Sequence, residues 1–203
     1  MTGRGEGGPQ PPTEMPRKLA ALIKGFDALF AAASSEADLI YAGQGLLTEL
    51  VREDDWLPPA FAKADHGGYR QYLLYRDLSA RFSISSFVWG PRQATPIHDH
   101  GVWGLVGMLR GAEATQRFRL LDSGLVAETE LLLRPGMVDV LEPHVGDIHR
   151  VRNALEEDVS ISIHIYGADM ATLERSSYLF DGTKKSFVSG YSNDAESLPL
   201  RTL

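Results

Sequence analysis

Between Phe82 and Tyr166 the chain consists of short runs rich in Val, Ile, Leu and aromatic residues, each ended by Gly, Pro or Asp, and this pattern constrains the fold most. The runs are Phe82–Trp89, Val102–Leu109, Ala114–Leu120, Leu125–Leu133, Val138–Leu141, His149–Val151 and Ser160–Tyr166. The regularity of these short, turn-separated runs predicts an antiparallel sandwich or barrel and not alternating βαβ units. Ahead of them, Leu19, Leu22, Ile23, Phe26, Leu29 and Phe30 recur at three- and four-residue spacing, which predicts an amphipathic helix from Arg17 to about Ala33. Ser35 and Asp38 form a loose capping box for a second helix carrying Leu39, Ile40, Leu46, Leu47, Leu50 and Val51. Pro58 and Pro59 break the pattern, leaving room for a short helix near 60–64.

The 203 residues suit one domain, residues 17–203, with helices over about 17–65 and strands over about 69–191. Residues 1–16, with four Gly and four Pro, are expected to be a disordered tail. The chain has no cysteine, which removes disulfide frameworks, thiolate metal sites and thiol nucleophiles. A formal charge of −7 with scattered Lys and Arg argues against a nucleic-acid partner. The absence of a membrane-length apolar run and of a signal-peptide h-region predicts a soluble, cytoplasmic protein without a membrane partner. No oligomeric state follows from the sequence.

Two segments carry chemistry. In Pro96-Ile97-His98-Asp99-His100 the histidines stand two apart, so in an extended chain their rings lie on one side and can converge on an ion. His149 opens another predicted strand and supplies a third candidate ligand. The second segment, Val159 to Tyr166, alternates strictly: Val159, Ile161, Ile163 and Ile165 on one face, Ser160, Ser162, His164 and Tyr166 on the other. As an isolated pattern this describes a half-exposed strand, but a barrel can turn such a polar face inward. His66 and His144 read as loop residues.

These spacings resemble the two motifs of the cupin superfamily. His98 and His100 are followed by Gly104 and Gly111, and Pro143, Gly146, His149 and Asn153 match the second motif with one extra residue between Pro and Gly. Gly104 stands where the usual Glu ligand would be. A neutral three-histidine site resembles the thiol dioxygenase branch, the cysteine dioxygenase family. The resemblance implies a cupin jelly-roll β-barrel with two or three α-helices packed outside. It also implies one ferrous ion, Fe(2+), held by His98, His100 and His149, with O2 as co-substrate. Ser162-x-His164-x-Tyr166 resembles the Ser-His-Tyr relay of that family, in which the Tyr hydroxyl faces the iron. Without a cysteine the Cys–Tyr crosslink of the mammalian-type enzymes cannot form, so Tyr166 is a free phenol.

Substrate choice rests on the carboxylate-binding group. Tyr69-Arg70-Gln71-Tyr72 resembles the Tyr-x-Arg motif of the mammalian type with Gln71 in the Arg position, while Tyr75-Arg76-Asp77 competes by restoring an Arg. Arg175 resembles the Arg that Gln-type bacterial enzymes place after the relay, which implies a 3-mercaptopropionate dioxygenase acting on a small thiol carboxylate. The alternatives are L-cysteine as substrate, a three-histidine zinc hydrolase in which a metal-bound water attacks, and a cupin sensor without catalysis. Phe87, Trp89 and Trp103 are aromatic candidates for excluding water.

Overall fold

The computed structural model describes residues 14–193. Most of the expected tail, residues 1–13, lies outside them, and Met15 packs against the core. Helix α1 (Arg17–Ala32) buries Leu19, Leu22, Ile23 and Phe26 along one stripe. Helix α2 (Glu36–Val51) begins at Ser35, whose Oγ accepts the Asp38 N–H at 3.1 Å, and carries Glu36 and Asp38 where the first turn exposes free N–H groups. The short third helix is a 3₁₀ turn, Pro59–Phe61.

The strands are β1 (Arg70–Arg76), β2 (Ser83–Trp89), β3 (Ile97–His98), β4 (Gly104–Arg110), β5 (Glu113–Leu121), β6 (Gly124–Leu133), β7 (Val138–Leu141), β8 (His149–Asn153), β9 (Ser160–Tyr166), β10 (Arg175–Tyr178) and β11 (Lys184–Phe187). They form two antiparallel sheets, ordered β1-β2-β9-β4-β7 and β11-β10-β3-β8-β5-β6. Within these, β2-β9-β4-β7 faces β3-β8-β5-β6, the strand order of a jelly roll built from two Greek keys. The expected barrel is therefore a pair of facing sheets and not one closed cylinder, because no strand belongs to both hydrogen-bonded ladders.

Strand β9 is paired on both sides, by β2 and β4, and buried along its whole length. Its Ile161, Ile163 and Ile165 pack toward α1 and α2 in one apolar cluster with Phe26, Leu47, Leu74 and Leu105. The opposite face looks into the space between the sheets, where Phe87, Trp89, Val106, Met108, Leu141 and Tyr166 form a second cluster. The half-exposed strand that alternation describes in isolation is thus an interior strand with a polar inner face.

Four strands are absent from the sequence reading. In β1 a bulge between Leu73 and Tyr75 interrupts the alternation. Strand β3 has two residues, and β10 and β11 are short and polar, with β11 at the sheet edge. The outer edge of β1 is covered by the chain near its described end: Ser192 N–H donates to Gln71 O at 2.7 Å, and Asn193 exchanges hydrogen bonds with both backbone groups of Leu73.

Candidate metal centre

His98 and His149 are direct cross-strand partners on β3 and β8. His100 does not head a strand, as its motif suggests, but lies in the loop after β3, where a left-handed turn at Gly101 reverses the chain. The Asp147 carboxylate fixes this loop by accepting the backbone N–H groups of His100 at 2.7 Å and Gly101 at 3.2 Å. The result is a triangle of imidazoles with ring centroids 4.9, 4.8 and 4.8 Å apart and potential ligand atoms within 4.8 Å of one another.

The protonation states suit ligation. The Nδ1 of His98 lies 3.1 Å from Pro96 O, an acceptor only, so Nδ1 carries the proton and Nε2 is free. Both ring nitrogens of His100 and Nδ1 of His149 are buried without a hydrogen-bond partner. Burial holds all three rings neutral, pushing His98 down to about 4 and His100 and His149 well below the usual histidine range. Buried, unpartnered, neutral imidazoles at this spacing fit a divalent transition metal, and no carboxylate joins them among the described residues.

Gly104 lies beside the Tyr166 ring: a Cβ built there would sit 2.9 Å from Tyr166 Cδ1 and 3.2 Å from Leu141 Cδ1. Tyr166 in turn stacks on His100, with centroids 5.4 Å apart and planes 17° from parallel. From the phenol a hydrogen-bonded chain runs along β9. Tyr166 Oη lies 2.8 Å from His164 Nδ1, and His164 Nε2 lies 2.8 Å from Ser162 Oγ. Burial, followed by the nearby His98, pushes His164 down to about 3, so the chain links neutral groups. Phe87 stacks on the His164 ring at 3.9 Å and fixes its plane.

A cavity of about 300 Å³ opens beside the triangle, lined among others by His98, His149, Tyr166, Tyr69, Gln71 and Arg175. Arg175 starts β10, is buried, lies over the Phe187 ring at 4.6 Å and donates from Nη2 to Ser189 Oγ. Its Nε and the Nε2 of Gln71 are buried donors without partners. Arg76, the competing guanidinium, does not line this cavity; it pairs with Asp169 at 3.0 Å. Phe87 and Trp89 line the cavity, but Trp103 packs on the helix side of the sheet, parallel to Phe26, and is not part of the site. His66 and His144 are exposed.

Three residues of the site escaped the sequence reading. Asp147 clamps the ligand loop. Asp99, between the first two histidines, accepts Ser176 N–H at 2.7 Å and Tyr178 Oη at 2.6 Å, tying that loop to the strand of Arg175. Glu113 is buried between the sheets. Asp147 had a signal in its place two residues before His149; Glu113 had none, since a single acid at a strand start ordinarily faces water.

No protein-family model matches the chain. Among solved structures, it resembles TT1209 from Thermus thermophilus, with 22% identity over 54% of this chain and 91% of that one and a TM-score of 0.43. An RmlC-like cupin protein from Desulfovibrio desulfuricans gives 18% identity over 52% and 87%, with a TM-score of 0.40. An oxalate oxidase in complex with the substrate analogue glycolate gives 18% over 52% and 56%, with a TM-score of 0.42. By its own strand order this chain is a jelly roll of two facing antiparallel sheets, and its three-histidine group could hold a metal ion.

Proposed function

We propose that this protein is a mononuclear non-haem iron thiol dioxygenase acting on a small thiol carboxylate, with 3-mercaptopropionate the favoured substrate. The observation that carries the reading is one cavity lined by His98 and His149 of a carboxylate-free histidine triangle, by the Tyr166 end of the Ser162–His164–Tyr166 chain, and by Arg175 and Gln71, each with an unpartnered donor. Fe(II) held by His98, His100 and His149 supplies the redox chemistry that joins O2 to a thiolate sulfur; overall, R–SH and O2 give the sulfinic acid R–SO2H.

The chain's own residues bind and orient. Arg175 has a spare N–H and lines the same cavity as Gln71, so the guanidinium can take a substrate carboxylate with charge assistance while the amide adds a neutral hydrogen bond. A carboxylate held on β10, and no requirement for an α-amine, suit 3-mercaptopropionate over cysteine. Tyr69, Phe87, Trp89 and Phe187 give the cavity apolar walls that keep water from the reacting sulfur. Tyr166 keeps its proton, since burial raises its hydroxyl far above neutrality, and it serves as a hydrogen-bond donor at the metal side of the cavity.

The test is O2 uptake by the Fe(II)-loaded protein with 3-mercaptopropionate, L-cysteine and a thiol lacking a carboxylate, with the product identified by mass. Stoichiometric sulfinate and a higher kcat/KM for 3-mercaptopropionate are expected. Preference for L-cysteine would overturn the substrate assignment, and stoichiometric zinc in protein purified without added metal, with no thiol-dependent uptake, would overturn the activity.

A further inference from the structure

Glu113 opens β5 and is buried at 1% exposure between the two sheets, yet neither of its carboxyl oxygens has a hydrogen-bond partner. An unpartnered buried acid is costly and uncommon. The Ser162 hydroxyl and the Trp89 indole N–H of the opposite sheet favour its ionised form, although neither closes a hydrogen bond to it. Ser162 is the far end of the chain that reaches Tyr166, and Trp89 Nε1 also points at Ser162 Oγ, at 3.4 Å. Within its own sheet Glu113 is flanked by Leu133 and Asn153, and the Asn153 amide is occupied by the backbone carbonyls of Trp89, Gly90 and Asp158. Among the described residues no charged side chain acts on Glu113, whereas Tyr166 feels its charge.

We propose that Glu113 sets the direction in which the hydrogen bonds of the Ser162–His164–Tyr166 chain run, and thereby whether the Tyr166 proton faces the metal side of the cavity or faces His164. The inference rests on the reading of Tyr166 as a donor at the metal side. It follows from counting donors and acceptors. A protonated Glu113 turns its O–H to Ser162 Oγ, where the Trp89 N–H already points, and the Ser162 proton then goes to His164 Nε2. The imidazole then carries its proton on Nδ1 and gives it to Tyr166 Oη, which leaves the phenol proton free to face the substrate. When Glu113 is ionised it takes the Ser162 proton. Ser162 then accepts from His164 Nε2–H, Nδ1 becomes an acceptor, and the Tyr166 proton turns to it.

The two arrangements differ by one proton, that of Glu113, which passes to or from solvent; Ser162, His164 and Tyr166 are neutral in both. No bond between heavy atoms and no electron is involved. Burial holds the Glu113 carboxyl up at about 8, so both arrangements are accessible near neutrality. Glu113 is a positioning residue: it acts through Ser162 and does not touch substrate.

The experiment is nitrogen-15 NMR of histidine-labelled, full-length protein loaded with Zn(II), which fills the triangle without paramagnetism. His164 is expected to carry its proton on Nδ1 below pH 8 and on Nε2 above it, and Glu113→Gln is expected to abolish the change. A His164 tautomer that stays the same on both sides of pH 8, or a change that persists in E113Q, overturns the proposal. Should E113Q fail to fold, the wild-type titration decides by itself. In the Fe(II) enzyme, wild-type thiol-dependent O2 uptake falls above pH 8 and E113Q loses that alkaline fall. Absence of thiol-dependent uptake would sink the dioxygenase reading while leaving the tautomer measurement able to decide the role of Glu113.

Discussion

The Asp147 carboxylate accepts the backbone N–H of His100 at 2.7 Å, so the chain two residues before one candidate ligand holds the loop that carries another. Convergence of the histidines thus depends on a side chain that touches none of the reacting atoms. Asp147→Ala is expected to weaken metal binding about 10- to 100-fold, the usual cost of losing an outer support of a metal site. Competition against a chromophoric chelator measures this, with circular dichroism confirming that the sheets persist.

Arg175→Gln removes the buried guanidinium charge and keeps a hydrogen-bonding amide. A hydrogen bond to a charged group contributes about 1.5–3 kcal/mol, so kcat/KM for 3-mercaptopropionate should fall roughly 10- to 150-fold. A thiol without a carboxylate should lose little by comparison. Equal losses for both thiols would show that Arg175 supports the fold of β10 and does not bind the carboxylate.

Tyr166→Phe keeps the ring that stacks on His100 and removes the hydroxyl. Metal content should stay at the wild-type level while kcat falls about 100-fold or more, the range for loss of a positioned proton donor. Metal analysis and steady-state uptake on the same preparation check both parts.

The buried acid also makes stability depend on pH. Glu113 is raised from 4.5 to about 8, so between those values the folded state holds a proton that the unfolded chain has released. Its contribution therefore declines as pH rises through that window, by about 1.4 kcal/mol per pH unit for one fully shifted group, and levels off above it. Urea unfolding at a series of pH values should show Glu113→Gln gaining stability over wild type as pH rises from 5 toward 8. A constant difference would count against a protonated Glu113.

Much of this was legible in the sequence. The bounds of β7 and β9 match their predicted runs because β9 alternates without interruption and β7 is a short run between Gly136 and Pro143, and the histidine triad is visible because it depends on residue type and spacing alone. The bulged β1 and the short polar strands β10 and β11 are held by pairing with neighbours, which a local pattern does not record. The place of Trp103 differs from expectation for a related reason. A sheet buried on both faces makes both parities of a strand apolar, so alternation does not say which side faces the cavity. Glu113 became visible only when two distant strands were brought together across the interior.

The close approach of Gly104 and Tyr166 separates two kinds of metal site that the same backbone could build. The volume a carboxylate at position 104 would need to reach an ion is already filled by the phenol ring. A single change to Glu at 104 would force Tyr166 off His100, and a single reduction of Tyr166 would leave an unfilled space beside a glycine. Passage between a four-ligand site and this three-histidine site requires the two positions to change together, so their joint identity is a compact signature by which chains of this second kind can be told apart.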